Sequence, residues 1–180
     1  MTTSPRRVTA RPSPSHVLAS PIGRLRLTAS EQGLSRVEML DRMPPDGRRC
    51  IEAEPDGTAP RDPILRQAVA ALQRYFAGRG LPGGVPLDRG ACTDFQWRVL
   101  TVLAREVPHG AVVSYGELAR LAGRPGAARA VGTTMARNPL PIFLPCHRVV
   151  AGHGIGGFGG GLDCKRFLLA HEGAVVTAFA

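Results

Sequence analysis

Apolar and polar residues alternate along residues 16–28 on either side of Ser20-Pro21-Ile22-Gly23, and this two-residue period predicts two strands joined by a turn. A third strand is expected over residues 34–40. Residues 41–60 are crowded with Pro, Gly and charge and read as a loop. The period then lengthens. Asp62-Pro63 supplies an N-cap and a first-turn proline, and Ile64, Leu65, Ala68, Val69, Leu72 and Phe76 follow as a helical stripe closed by Gly78. One face of that helix should cover the strands. Residues 79–90, rich in Gly and Pro, mark a boundary.

Beyond the boundary the second half looks helical and compact. Thr93 and Gln96 form a capping box ahead of Phe95, Val99, Val102 and Leu103. Ser114 and Glu117 form a second box, opening a short helix that ends at Gly123. Pro125 is expected to open a third, with Ala128, Val131 and Met135 on its core face and Arg129, Thr133 and Arg137 directed elsewhere. Two helices across a tight glycine turn make a helix-turn-helix pattern, which a plain helical hairpin also satisfies. The small residues Ala127, Ala128, Ala130 and Gly132 would let the second helix lie close to a DNA groove. The fold class is therefore α/β (α+β): a leader at residues 1–14 expected to be disordered, a small strand-helix domain with its linker at 15–90, and a mostly helical, winged helix-turn-helix-like domain at 91–180.

Composition sharpens this picture. The 180 residues carry a net charge of +9, which favours a polyanionic partner, nucleic acid first, over the plainer reading that the charge only maintains solubility. Every basic residue except Lys165 is arginine, the better fork for phosphate and base edges. Cys50, Cys92, Cys146 and Cys164 lie far apart without a CxxC pair, which argues against a zinc knuckle or a disulfide framework and for a reducing compartment. No apolar run reaches the roughly 18 residues of a membrane span. Neither metal nor cofactor is expected, and the location expected is the cytoplasm, with the nucleoid in a bacterium.

The chemistry concentrates in Leu144-Pro145-Cys146-His147-Arg148-Val149-Val150, where a thiol sits beside an imidazole and a guanidinium in an apolar, strand-like segment. Neighbours on a strand face opposite ways, so His147 would reach the sulfur through a water or by a bend at Pro145, the water relay being the expectation. A buried structural thiol is the alternative reading of the pair alone. A DNA-binding regulator with a sensing thiol and a multiple-turnover cysteine hydrolase are the competing functions.

This segment resembles the active-site motif of the methylated-DNA-protein-cysteine methyltransferases, also called O6-alkylguanine-DNA alkyltransferases. The likeness extends through Val107-Pro108-His109-Gly110, Ser114-Tyr115-Gly116-Glu117-Leu118-Ala119, Ala127-Ala128-Arg129-Ala130-Val131-Gly132, Asn138-Pro139 and Leu168-Leu169-Ala170-His171-Glu172-Gly173. In the N-terminal half it rests chiefly on Ser20-Pro21-Ile22-Gly23.

The resemblance implies direct reversal of O6-methylguanine, and of O4-methylthymine, in double-stranded DNA by a flipped-base, single-use protein acting as a monomer. Whether copies bind DNA cooperatively stays open. Cys146 would accept the alkyl group, activated through a water by His147, whose ring Glu172 orients. Asn138 would end the recognition helix and brace the site, and Tyr115 would polarise the purine at N3. Arg129 would fill the gap left by the extruded nucleotide, with Ser114, Ala128, Ala130, Gly132, Thr133 and Arg137 against the DNA. Met135, Val149, Phe158, Gly159 and Gly160 would wall the base pocket, the Gly159 amide near O6 and the carbonyls of Cys146 and Val149 on the exocyclic amine. Phe158 and Gly159 stand where many members have Tyr and Ser, and Leu100 where the family often has Trp.

Overall fold

The computed structural model describes residues 13–43, 59–152 and 154–174. Most of the leader, most of the loop expected at 41–60, and Cys50 lie outside the described residues.

Strands β1 (Ser15–Ser20), β2 (Gly23–Ala29) and β3 (Leu34–Met39) form an antiparallel meander in that order. Leu18 pairs with Leu25 and Leu27 with Val37, so the alternation read in the sequence sends Leu25, Leu27 and Ala29 inward and Arg24 and Arg26 outward. Helix α1 (Pro63–Arg74) starts where Asp62 Oδ1 accepts from the amides of Ile64 and Leu65 at 2.9 and 3.0 Å. Leu65, Ala68, Ala71 and Leu72 are its buried face, against the sheet.

The stripe differs from expectation at its end. Tyr75 is fully buried and Phe76 only partly, within a π turn at Tyr75–Arg79 where Gly78 takes φ 74°. A phenol can follow the helical spacing into the core when its hydroxyl finds a partner there. The linker also does more than connect. Leu34 N donates to Pro86 O at 2.8 Å and Asp88 N to Leu34 O at 2.9 Å, pairing residues 86–88 with the edge of β3.

Helix α2 (Asp94–Glu106) has both bonds of the Thr93 and Gln96 box, and Leu100 joins Val99, Val102 and Leu103 in burial, with Phe95 only partly covered. A two-residue strand, β4 (Val113–Ser114), leads into α3 (Tyr115–Leu121). Of the second box, Ser114 Oγ accepts from Glu117 N at 3.1 Å, while the Glu117 carboxylate lies 3.7 Å from Arg120. Helix α4 (Ala128–Ala136) begins three residues past Pro125, which sits instead in the turn closed by the bond from Ala127 N to Arg124 O. With no side-chain cap available near Pro125, the first helical turn waits for Ala127 and Ala128. Val131, Thr134 and Met135 form its core face, and Ala128 is only half-buried.

Strand β5 (Val149–Val150) pairs in parallel with β4, and α5 (Leu162–His171) closes the fold. One apolar core runs from the sheet through α1, α2, α3 and α4 to α5, and Val37 N donates to Pro139 O at 2.8 Å across it. Among the described residues no helix is long and apolar enough to cross a membrane.

Candidate active site

The chain leaving α4 is folded back by Asn138. Its Oδ1 accepts from Leu140 N at 3.0 Å and its Nδ2 donates to Leu144 O at 2.7 Å, bracing the loop that ends at the cysteine. Inside that loop Ile142 is held at φ 74°, an unfavourable conformation for a β-branched residue and one that persists only under such bracing.

The segment expected to be a strand is a 3-10 turn, Cys146–Arg148, and only Val149–Val150 is extended. Arg148 N donates to Pro145 O at 2.9 Å, so the proline marks the bend. Cys146 and His147 therefore do not face opposite sides of a strand as an extended reading required. Both are buried, Cys146 at 6% exposure and His147 at 0%.

His147 Nε2 lies 2.8 Å from Glu172 Oε1, and a carboxylate at that distance requires a proton on Nε2. The opposite nitrogen, Nδ1, is then an acceptor, and it is buried with no hydrogen-bond partner among the described residues. Glu172 is held from several sides. Arg148 Nε donates to Oε2 at 2.7 Å and Nη2 to Oε1 at 3.0 Å, while Arg148 Nη1 donates to Val107 O at 2.7 Å. Tyr75 donates its hydroxyl to Oε1 at 2.8 Å, and Gly110 N reaches Oε2 at 3.5 Å.

These contacts fix the charge states. Burial alone pushes the Glu172 carboxyl up, but the His147 and Arg148 hydrogen bonds and charges overcome it and hold the group well below the usual carboxylate range. Burial lowers His147 against the opposing pull of Glu172, leaving a neutral imidazole able to take a proton. Burial raises the Cys146 thiol, with Asn138 and then Lys165 acting to lower it. The guanidinium of the motif is thus committed to Glu172, and Lys165 is the cation acting on the sulfur. Fully buried in α5, Lys165 donates to Val149 O at 2.6 Å and Gly157 O at 3.2 Å, and burial brings it down to about 8.

Beside Cys146 lies a hollow of about 250 Å3 lined by Tyr115, Gly132, Met135, Ala136, Gly157, Phe158 and Gly159. Tyr115 is half-buried, and burial raises its hydroxyl, which stays protonated. Phe158 meets His147 edge to face at 6.5 Å. Gly156 needs its glycine: at φ 73° a Cβ would sit 3.1 Å from the Tyr115 hydroxyl and 3.2 Å from Ala151 N.

Of the five expected pocket residues, Met135, Phe158 and Gly159 line this hollow. Val149 does not; it is buried, and its carbonyl accepts from Lys165. Gly160 also lies outside it, packed so closely beneath Met39 and Phe158 that a Cβ would collide with both. Gly132, expected against DNA, also helps wall the hollow beside the Tyr115 ring.

Arg129, Ala130, Thr133 and Arg137 are exposed on α4, with Ala128 half-buried at its start, and Ser114 caps α3. Lys165 and Tyr75 are the site residues that reading the sequence missed, while Arg148, expected to serve the thiol, holds Glu172. Lys165 stood out only as the lone lysine among arginines. Tyr75 gave no local signal.

Residues 15–89 match the family described as 6-O-methylguanine DNA methyltransferase, ribonuclease-like domain, and residues 94–174 match 6-O-methylguanine DNA methyltransferase, DNA binding domain. The methylated-DNA–protein-cysteine methyltransferase of Methanosarcina acetivorans is 39% identical over 159 residues, covering 88% of this chain and 97% of its own. The protein of that name from Homo sapiens is 40% identical over 162 residues, covering 87% and 78%. The crystal structure of Mycobacterium tuberculosis OGT in complex with DNA aligns with a TM-score of 0.71 at 38% identity, covering 90% of this chain and 95% of that one.

Proposed function

The chain belongs to the 6-O-methylguanine DNA methyltransferase family, and we propose that it repairs O6-alkylguanine in duplex DNA by taking the alkyl group onto Cys146, once per molecule. The observation that carries this reading is the buried Nδ1 of His147, without a hydrogen-bond partner among the described residues, on a ring whose other nitrogen is fixed by Glu172 and whose chain neighbour is the buried thiol.

The step is a displacement at carbon. The Cys146 proton passes through a water to His147 Nδ1, and the sulfur attacks the alkyl carbon as its bond to O6 breaks. The bonding pair leaves on the guanine, whose negative charge the protonated Tyr115 hydroxyl relieves at N3. The imidazolium is held by the Glu172 carboxylate. The product is a thioether, which is not a leaving group, so the reaction ends with the protein spent. No cofactor enters.

An alkyl group on stacked guanine cannot be lined up with the sulfur, so the base is extruded into the hollow between the Tyr115 and Phe158 rings. Arg129 fills the gap in the duplex. Ala128, Ala130 and Gly132 allow the close approach, and Ser114, Thr133 and Arg137 bind the backbone. The region after residue 90 performs recognition and chemistry on the framework that precedes it. The protein works as a monomer in the cytoplasm, at the nucleoid in a bacterium, and takes O4-methylthymine as a second lesion.

A methyl-labelled O6-methylguanine duplex tests this. Label moved to protein should saturate at one per chain, and unlabelled duplex should not compete once transfer has occurred. Continued turnover beyond one equivalent would favour a hydrolase.

A further inference from the structure

Among the described residues, Glu172 receives one hydrogen bond from the N-terminal part of the chain. Tyr75, in the π turn that follows α1, donates to Glu172 Oε1 at 2.8 Å from 97 residues away. His147 Nε2 approaches the same oxygen at the same distance. The phenol has little freedom: its ring meets His171 at 5.1 Å, Phe76 at 5.2 Å and His109 at 6.3 Å, and its carbonyl lies 2.7 Å from His171 Nε2. A buried hydroxyl needs an acceptor, and here the acceptor is the carboxylate that orients the base.

We infer that Tyr75 is a positioning residue for alkyl transfer: through its hydroxyl the N-terminal part of the protein fixes the Glu172 carboxylate, and with it the angle and basicity of His147. This rests on the reading of Cys146 as the acceptor.

Oε1 takes three donors, from Tyr75, His147 and Arg148. Removing the phenol hydroxyl leaves more negative charge on that oxygen for an imidazolium and leaves the carboxylate freer to rotate. His147 then becomes a stronger base that is less well aimed. The other groups bearing on the pair are Arg148 from the 3-10 turn, Lys165 and Cys164 from α5, and Cys146, with His109 and His171 against the Tyr75 ring.

The test uses Tyr75→Phe in the full chain, which keeps the ring and removes one oxygen. Three readings are taken: the His147 Nε2 proton resonance and titration by NMR without DNA, the single-turnover transfer rate across pH, and the duplex Kd. The His147 resonance should move and its titration shift upward. The transfer rate should fall about tenfold, a fraction of what an aimed general base contributes, with its acidic limb moved up and Kd within about twofold.

Leu72→Ala, which loosens the same helix without touching Glu172, should lower Tm and leave the resonance and pH profile in place. An unchanged His147 resonance and an unchanged rate profile in Tyr75→Phe would overturn the inference, whatever its melting temperature. Wild-type protein that transfers no alkyl group would fail the functional reading instead, and the resonance would still decide the link from Tyr75 through Glu172 to His147.

Discussion

Arg148 grips Glu172 through two hydrogen bonds, Nε to Oε2 at 2.7 Å and Nη2 to Oε1 at 3.0 Å, with the carboxylate wholly buried. The pair ties the turn that carries Cys146 to the end of α5. Removing one partner of a buried pair strands the other, so Arg148→Met should cost about 3–5 kcal/mol in urea unfolding. A loss under about 1 kcal/mol would mean that Glu172 relaxes into solvent or takes a proton at little cost.

Stability should depend on pH at both ends. Glu172 titrates below its ordinary value in the folded chain, so its contribution is complete above about pH 5 and is lost as pH falls through the ordinary carboxylate value toward the folded one. Lys165 is brought down from 10.5 to about 8, so the folded chain releases that proton first and stability gains as pH rises between those values. The Cys146 thiol, pushed up by burial, works against this gain once free thiols ionise. Lys165→Met should therefore show a more negative slope of unfolding free energy between about pH 8 and 10 than wild type. Equal slopes would remove Lys165 from the account.

How much the sequence revealed depended on range. The Thr93 and Gln96 box and the Asp62 cap lie within three residues of their partners and were legible in full. The Ser114 box was half right, because an exposed Glu117 turns toward Arg120. The Cys146 segment misled by its apolar content, since a 3-10 turn and a buried strand share that composition and differ in backbone bonds such as those to Pro145 O and Cys146 O. Cys146, His147 and Glu172 were placed by their motifs. Tyr75 was not, because nothing near position 75 records a carboxylate 97 residues further on.

Gly156→Ala should disturb the pocket. The added carbon meets the Tyr115 hydroxyl at 3.1 Å on a backbone at φ 73°. Thermal unfolding should show a loss of about 1 kcal/mol or more, with slower transfer from displacement of Tyr115. Wild-type rate and stability would show that the loop moves aside freely.

Alkylation itself should loosen the protein. Cys146 is 6% exposed, and an extra methyl in a packed site costs about 1–3 kcal/mol. The methylated form should melt below the native form in side-by-side calorimetry. Equal melting temperatures would contradict a tightly packed acceptor.

The most direct measurement is the intact mass of the protein after incubation with a duplex carrying one O6-methylguanine, followed by peptide mapping, with Cys146→Ser in parallel. Transfer to Cys146 predicts a gain of one methyl group, located on that residue, no second addition, and no gain in the serine variant. An unchanged mass despite tight binding, or a methyl group on Cys92 or Cys164, would contradict it.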